Sequence, residues 1–100
     1  MSYPSAINKI LENSDKFVIF YTPECPYCKD ALHNLRGSGQ KYKGYDMNQL
    51  NGGKTELLEI LNANASVVGF DKNHTTKPII FHNGKFIGGA DTLKIMLNNI

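Results

Sequence analysis

No tryptophan occurs in these 100 residues, cysteine occurs only twice, and no apolar run approaches the length needed to cross a membrane. Each scarcity removes a class of protein. Two cysteines in C-x-x-C spacing do not make the disulfide framework of a small secreted scaffold. A net charge of +2 with no basic run argues against a nucleic-acid partner and is compatible with a small anionic one. The opening Met1-Ser2-Tyr3-Pro4-Ser5 lacks the charged-then-apolar pattern of a signal peptide, so a reducing cytoplasm is the default expectation. There is no internal repeat and no linker. Residues 1–100 read as one domain, with an ordinary apolar share of 41% and no feature calling for more than a monomer.

What the chain does have is Thr22-Pro23-Glu24-Cys25-Pro26-Tyr27-Cys28, which holds both cysteines. The apolar run Phe17-Val18-Ile19-Phe20-Tyr21 before it favours a strand, and residues 29–36 after it carry an apolar stripe with helical spacing. The motif therefore lies where a strand ends and a helix begins. There the first backbone N–H groups lack intrahelical partners and the helix dipole is positive. Pro26 suits the first helical position, which leaves Cys25 at the cap, where a thiolate is favoured over a thiol. Such placements lower a cysteine pKa from roughly 8.5 to between about 3.5 and 7.5. Cys28 shares a face with Ala31, Leu32 and Leu35, so it is expected to be the shielded sulfur and Cys25 the exposed attacker. Glu24, a carboxylate beside that attacker, opposes the helix effect by like-charge repulsion.

Other readings of the pair are weaker. A zinc site needs four ligands, and His33, His74 and His82 are scattered without a paired spacing. A structural disulfide closing so small a ring constrains little of the unfolded chain. Two inert buried thiols sit badly with a proline on each side of Cys25. Redox chemistry is the favoured reading, and no metal is expected.

Around the motif, the spacing of Ala6, Ile7, Ile10 and Leu11 predicts a first helix over residues 4–13, capped by Ser2 or a neighbour. The strand at residues 17–21 is apolar throughout and reads as central, covered on both faces. Gly37 is the expected stop of the second helix. Residues 41–46 read as a weaker strand with its two tyrosines on opposite faces, parallel to the first through a right-handed crossover. Residues 54–62 form a short helix burying Leu57, Leu58, Ile60 and Leu61. Residues 62–77 are the least regular, with Val67, Val68 and Phe70 at the core edge or in a short turn and His74 as a solvated loop residue. Asn83-Gly84 turns a hairpin between Ile79-Ile80-Phe81-His82 and Lys85-Phe86-Ile87. After Gly88-Gly89, Ala90 and Asp91 cap a last helix whose apolar face is Leu93, Met96, Leu97 and Ile100.

Four local patterns in this order resemble glutaredoxin: Cys25-Pro26-Tyr27-Cys28 after a strand, Thr76-Lys77-Pro78 before one, Asn83-Gly84-Lys85 in the hairpin, and Ile87-Gly88-Gly89-Ala90-Asp91 before the final helix. The resemblance spans nearly the whole chain; thioredoxin itself usually carries a tryptophan before its motif. It implies an α/β, thioredoxin-like fold, a four-stranded mixed sheet with a parallel first pair, an antiparallel hairpin, and helices on both faces. It also implies a glutathione-dependent thiol–disulfide oxidoreductase acting on protein disulfides and protein–glutathione mixed disulfides. Cys25 then matches the nucleophile and Cys28 the resolving cysteine, with glutathione as co-substrate. Pro78 matches a cis-proline facing the thiols. Glutathione would pair with the backbone at Thr76 and Lys77, lie along Tyr27, and be held at its γ-glutamyl end by Gly89, Ala90 and Asp91.

Three positions depart from the family pattern. Thr22 stands where a Lys or Arg commonly meets the glycyl carboxylate of glutathione, and Leu58 stands where a Gln often does. The loop before Thr76 is also several residues longer than usual. Lys77 is the residue expected to take over part of the missing anchor. The same departures sustain an alternative, a redoxin reduced by thioredoxin reductase that feeds ribonucleotide reductase or a similar target. A third reading, an iron–sulfur carrier using Cys25 and glutathione across a dimer, is disfavoured by Pro26.

Overall fold

The computed structural model describes residues 3–100, so the candidate cap Ser2 lies outside the described residues. The first helix, α1 (Ser5–Glu12), starts after Pro4 without any side-chain cap. It is followed by β1 (Phe17–Tyr21), α2 (Pro26–Ser38) and β2 (Tyr42–Asp46). A 3₁₀ turn (Met47–Gln49) leads into α3 (Gly53–Ala63) and the short α4 (Ala65–Val68). The hairpin β3 (Ile79–His82) and β4 (Lys85–Gly88) precedes α5 (Ala90–Asn98).

The strands form one sheet in the order β2-β1-β3-β4, with β1 parallel to β2 and antiparallel to β3, and β3 antiparallel to β4. The uniformly apolar β1 is central because both of its faces are covered. Val18 and Phe20 join Ile7, Ile10, Leu57 and Leu61 under α1 and α3. Phe17 and Ile19 join Ala31, Leu35 and Leu93 under α2 and α5. Each such side chain taken fully from water contributes about 1.5–3 kcal/mol, so the strand that leads into the motif is firmly held. In β2, Tyr42 packs on the α2–α5 side and Tyr45 on the other, as the alternation requires. Asn83 and Gly84 have φ of +54° and +76°, the two left-handed residues of the expected hairpin turn.

Several boundaries differ from expectation. Helix α2 runs through Gly37 and ends at Gly39, whose φ of +74° is the left-handed stop. Ser38 supports that end by donating to the Leu35 carbonyl at 2.7 Å. Leu58 and Ile60 are only half-buried beside the buried Leu57 and Leu61. Asp91 lies inside the first turn of α5, and Gly89 holds the cap position with no side-chain hydrogen bond. Ile100 does not extend the apolar face. It is 66% exposed because Asn99 closes the last turn, its backbone N–H reaching the Met96 carbonyl at 3.1 Å and its side chain the Ile95 carbonyl at 2.9 Å.

In the long segment before β3, α4 buries Val68, and Phe70 follows it into the core. That return folds His74 inward too. It is not a solvated loop residue: its ring lies 5.0 Å from that of Phe86 and 6.5 Å from that of Phe70.

Candidate active site

The turn from β1 into α2 is fixed by residue types. Pro23 occupies the second position of a tight turn closed by the Cys25 N–H on the Thr22 carbonyl at 3.3 Å. Pro26 opens the helix, and Cys25 is its N-cap. The Cys25 Sγ accepts the Cys28 backbone N–H at 3.3 Å, so one of the unpaired donors of the first turn points at the sulfur. As a thiol, Cys25 also reaches the Lys77 carbonyl at 3.9 Å. Both cysteines are free.

The expected contrast in exposure is smaller than the sequence suggests. Cys25 is 6% exposed and Cys28 is fully buried, because the residues before Pro78 cross over Cys25 and bring the Lys77 carbonyl onto its sulfur. Cys28 is set apart by its surroundings. Burial first, and then its hydrogen bond to the Cys25 sulfur, push the Cys28 thiol up to about 12, so it is protonated at neutral pH.

The Lys77–Pro78 peptide is cis. It forms the floor of a cleft of about 320 Å³ whose lining comes from three parts of the chain. Tyr27, 68% exposed at the start of α2, stands on one side. Thr76, Lys77 and Pro78 run along the bottom, and Gly89, Ala90 and Asp91 close the far end. All seven residues predicted from the sequence to line such a cleft are therefore brought together around it.

The double glycine serves two different needs. Gly88 has φ +134°, which glycine alone adopts readily, and a Cβ there would lie 2.6 Å from the Thr92 Oγ1. Gly89 has an ordinary φ of −106°, but a Cβ would stand 3.4 Å from the His74 ring and 3.6 Å from the Pro78 carbonyl. It keeps the cleft end open. Beyond it, the first N–H groups of α5 are uncapped by any side chain, and Asp91 sits among them. The cleft end thus offers donors for a carboxylate and a carboxylate for an ammonium.

Sequence reasoning missed two lining residues, His74 and Thr92. Nothing in the polar stretch around His74 signals its place; only contact with Phe70 and Phe86 does. Its Nε2 lies 3.3 Å from the Pro78 carbonyl, and since a carbonyl only accepts, Nε2 carries the proton. Thr92 could have been found from its position in the first turn after the glycines. His33 is exposed on α2, and His82 is stacked on Phe17 at 4.2 Å, so the three histidines serve three unrelated places.

Through Lys77 the cleft adjoins a corner built from side chains that, Lys77 apart, do not themselves line it. Lys77 Nζ lies 3.6 Å from the Glu24 carboxylate, and Asn48 donates to the second oxygen of that carboxylate at 3.4 Å. Glu24 is therefore not the unshielded neighbour of Cys25 that the sequence suggested. Its carboxyl is held below the usual range, first by hydrogen bonding to its own backbone, against a smaller desolvation effect, and then by the Lys77 charge. Beneath this pair, Thr22 is 3% exposed with its hydroxyl unpartnered. The hydroxyl is near enough to Glu24 to favour its charged form, yet no hydrogen bond closes between them. Leu58 packs on the core under α3 and does not line the cleft.

Comparison with known proteins agrees with this geometry. The glutaredoxin family model matches residues 17–87, from the first residue of β1 into β4. A protein of Acanthamoeba polyphaga mimivirus described as a probable glutaredoxin is 48% identical, covering 91% of this chain and 88% of its own. The dithiolic glutaredoxin of Trypanosoma brucei brucei superposes with a TM-score of 0.74 at 28% identity, over 99% of this chain and 92% of that one. A buckwheat glutaredoxin–glutathione complex shares the fold, with a TM-score of 0.66 at 24% identity over 94% and 80% of the two chains. The sheet, the C-x-x-C at its helix start and these relatives lead to one conclusion: the chain belongs to the glutaredoxin family and is a thiol–disulfide oxidoreductase.

Proposed function

We propose that the enzyme is glutathione-dependent and reduces protein–glutathione mixed disulfides and protein disulfides through Cys25 and Cys28. The observation that carries this reading is the placement of the Cys25 sulfur, capping α2 beside the Lys77 carbonyl at the edge of the cleft. The far end of that cleft pairs an uncapped helix start with Asp91. A γ-glutamyl group carries an α-carboxylate and an α-ammonium on one carbon, which suits those two features. That the buckwheat relative was solved with glutathione supports the same ligand.

In the monothiol route the Cys25 thiolate attacks the glutathionyl sulfur of a mixed disulfide. A Cys25–glutathione disulfide forms and the protein leaves as a thiolate. A second glutathione thiolate attacks the bound glutathionyl sulfur, giving oxidised glutathione and restoring Cys25. In the dithiol route Cys25 attacks a protein disulfide, and Cys28, having lost its proton, attacks the Cys25 sulfur. Reduced protein leaves, and two glutathiones reopen the Cys25–Cys28 bond. On this reading Cys25→Ser abolishes both activities. Cys28→Ser keeps removal of glutathione from proteins and loses protein disulfide reduction. A glutathione-coupled assay beside a thioredoxin-reductase-coupled one tests this directly, and coupling to the second alone would replace glutathione as reductant.

Ring closure by Cys28 has a definite pH dependence. With its thiol protonated well past neutrality, the attacking thiolate fraction, and hence the closure rate, rises about tenfold per pH unit between pH 6 and 8. Once Cys25 is in a mixed disulfide its hydrogen bond and charge no longer hold the Cys28 proton, so Cys28 becomes more acidic when its attack is needed; burial keeps it above the ordinary thiol range. Rapid-quench measurement of mixed-disulfide collapse checks this, and a flat profile over that range contradicts it. The sign for stability is the reverse. A thiol raised in the folded state stabilises below its unfolded pKa of about 8.5, and that contribution is lost as pH climbs toward the folded value.

A further inference from the structure

The Glu24 carboxylate occupies a corner of donors contributed by three separate segments. Lys77 comes from the loop before β3, Asn48 from the 3₁₀ turn after β2, and Thr22 from the end of β1. The contacts at 3.6 and 3.4 Å are long for charge-assisted bonds, and the Glu24 side chain remains 63% exposed. The buried Thr22 hydroxyl beneath it has no partner, although buried polar groups normally have one. A corner with a cation, an amide donor and an unused hydroxyl, loosely filled by the chain's own carboxylate, suits a carboxylate that arrives from outside.

Its location says which one. Lys77 lines the cleft, places its carbonyl 3.9 Å from the Cys25 sulfur, and extends its ammonium to Glu24. For a ligand held at Asp91 and sulfur-bonded to Cys25, Lys77 is the lysine that lines the cleft and suits a second carboxylate. We propose that Glu24 is a built-in competitor, which the glycyl carboxylate of glutathione must displace from Lys77 and Asn48 in order to bind, the unused Thr22 hydroxyl then serving the incoming carboxylate. The proposal rests on the glutathione reading above. It makes Lys77 and Thr22 the specificity-determining residues for that carboxylate and Glu24 the residue that keeps their affinity low.

The test compares glutathione with its glycyl monoethyl ester, which keeps the thiol and the γ-glutamyl group and lacks the competing carboxylate. Glu24→Gln preserves shape at an exposed position and removes the charge. The KM for glutathione is expected to fall about two- to fivefold in Glu24→Gln, the scale of an exposed ion pair, while that for the ester stays unchanged. Combining Glu24→Gln with Lys77→Met should erase the gain. Any effect of Glu24 on the reactivity of Cys25 acts on both reductants alike and cancels in their ratio. If glutathione turns over but the ratio of the two KM values does not move, the competitor role is wrong and the glutathione reading stands. If neither thiol supports turnover in the unsubstituted enzyme, the glutathione reading fails and takes this proposal with it.

Discussion

The two ends of the cleft recognise by different means. At the α5 end the polar groups are mainly backbone: the uncapped N–H groups of a helix start, reached past a glycine. At the β1 end, in the corner that Lys77 joins to the cleft, they are side chains of Thr22, Lys77 and Asn48, and Glu24 is bound to two of them. A backbone site needs only that the chain fold and that nothing project into it. A side-chain site needs particular residues and can be occupied by a neighbour, so it can be tuned or blocked by one substitution. The sulfur chemistry lies at the start of α2, just after a deeply buried strand.

Substitution at Gly89 tests the backbone end most severely. Gly89→Val needs no unusual φ, and its Cβ would rest in ordinary contact with the His74 ring and Pro78 carbonyl, so its cost comes from the two further methyls taking up cleft space. The KM for glutathione should rise about tenfold or more, equivalent to roughly 1.4 kcal/mol of lost binding, with the melting temperature little changed. Circular dichroism melting beside steady-state kinetics reads both. An unchanged KM would mean that the ligand does not approach the α5 end. Set against the gain expected from Glu24→Gln, this loss gives the two ends opposite signs.

The same division explains what could be read from the sequence. The alternation in Val18, Phe20 and Phe17, Ile19, the Asn83-Gly84 turn and the proline-flanked cap at Cys25 are local patterns, and each produced the element that the structure contains. All seven predicted cleft residues also meet, because the backbone that gathers them is specified by glycine and proline. The Glu24–Lys77 pair was not legible, since its members are 53 positions apart and only the crossing over Cys25 brings them together. For the same reason Glu24 read as a bare charge and Cys25 as an exposed sulfur. Helix ends were misplaced where side-chain contacts decide them, at Ser38 and Asn99.

His74 provides the finest test, because it lines the backbone end without fitting the division neatly. Its Nε2–H on the Pro78 carbonyl ties the long loop to the cleft floor, and its ring packs between Phe86 and Gly89. If recognition here is by backbone, the ring only supports the floor. His74→Leu keeps an apolar body against Phe70 and Phe86 and loses one hydrogen bond, so it should cost about 0.5–1.5 kcal/mol of stability in urea unfolding. Pro78 is buried, so its carbonyl left without this partner takes the cost to the upper end. The KM for glutathione should change less than about twofold, the effect of a slightly looser floor. A larger rise in KM at unchanged stability would show that the imidazole itself touches the ligand, and the α5 end would then depend on a side chain as the opposite end does.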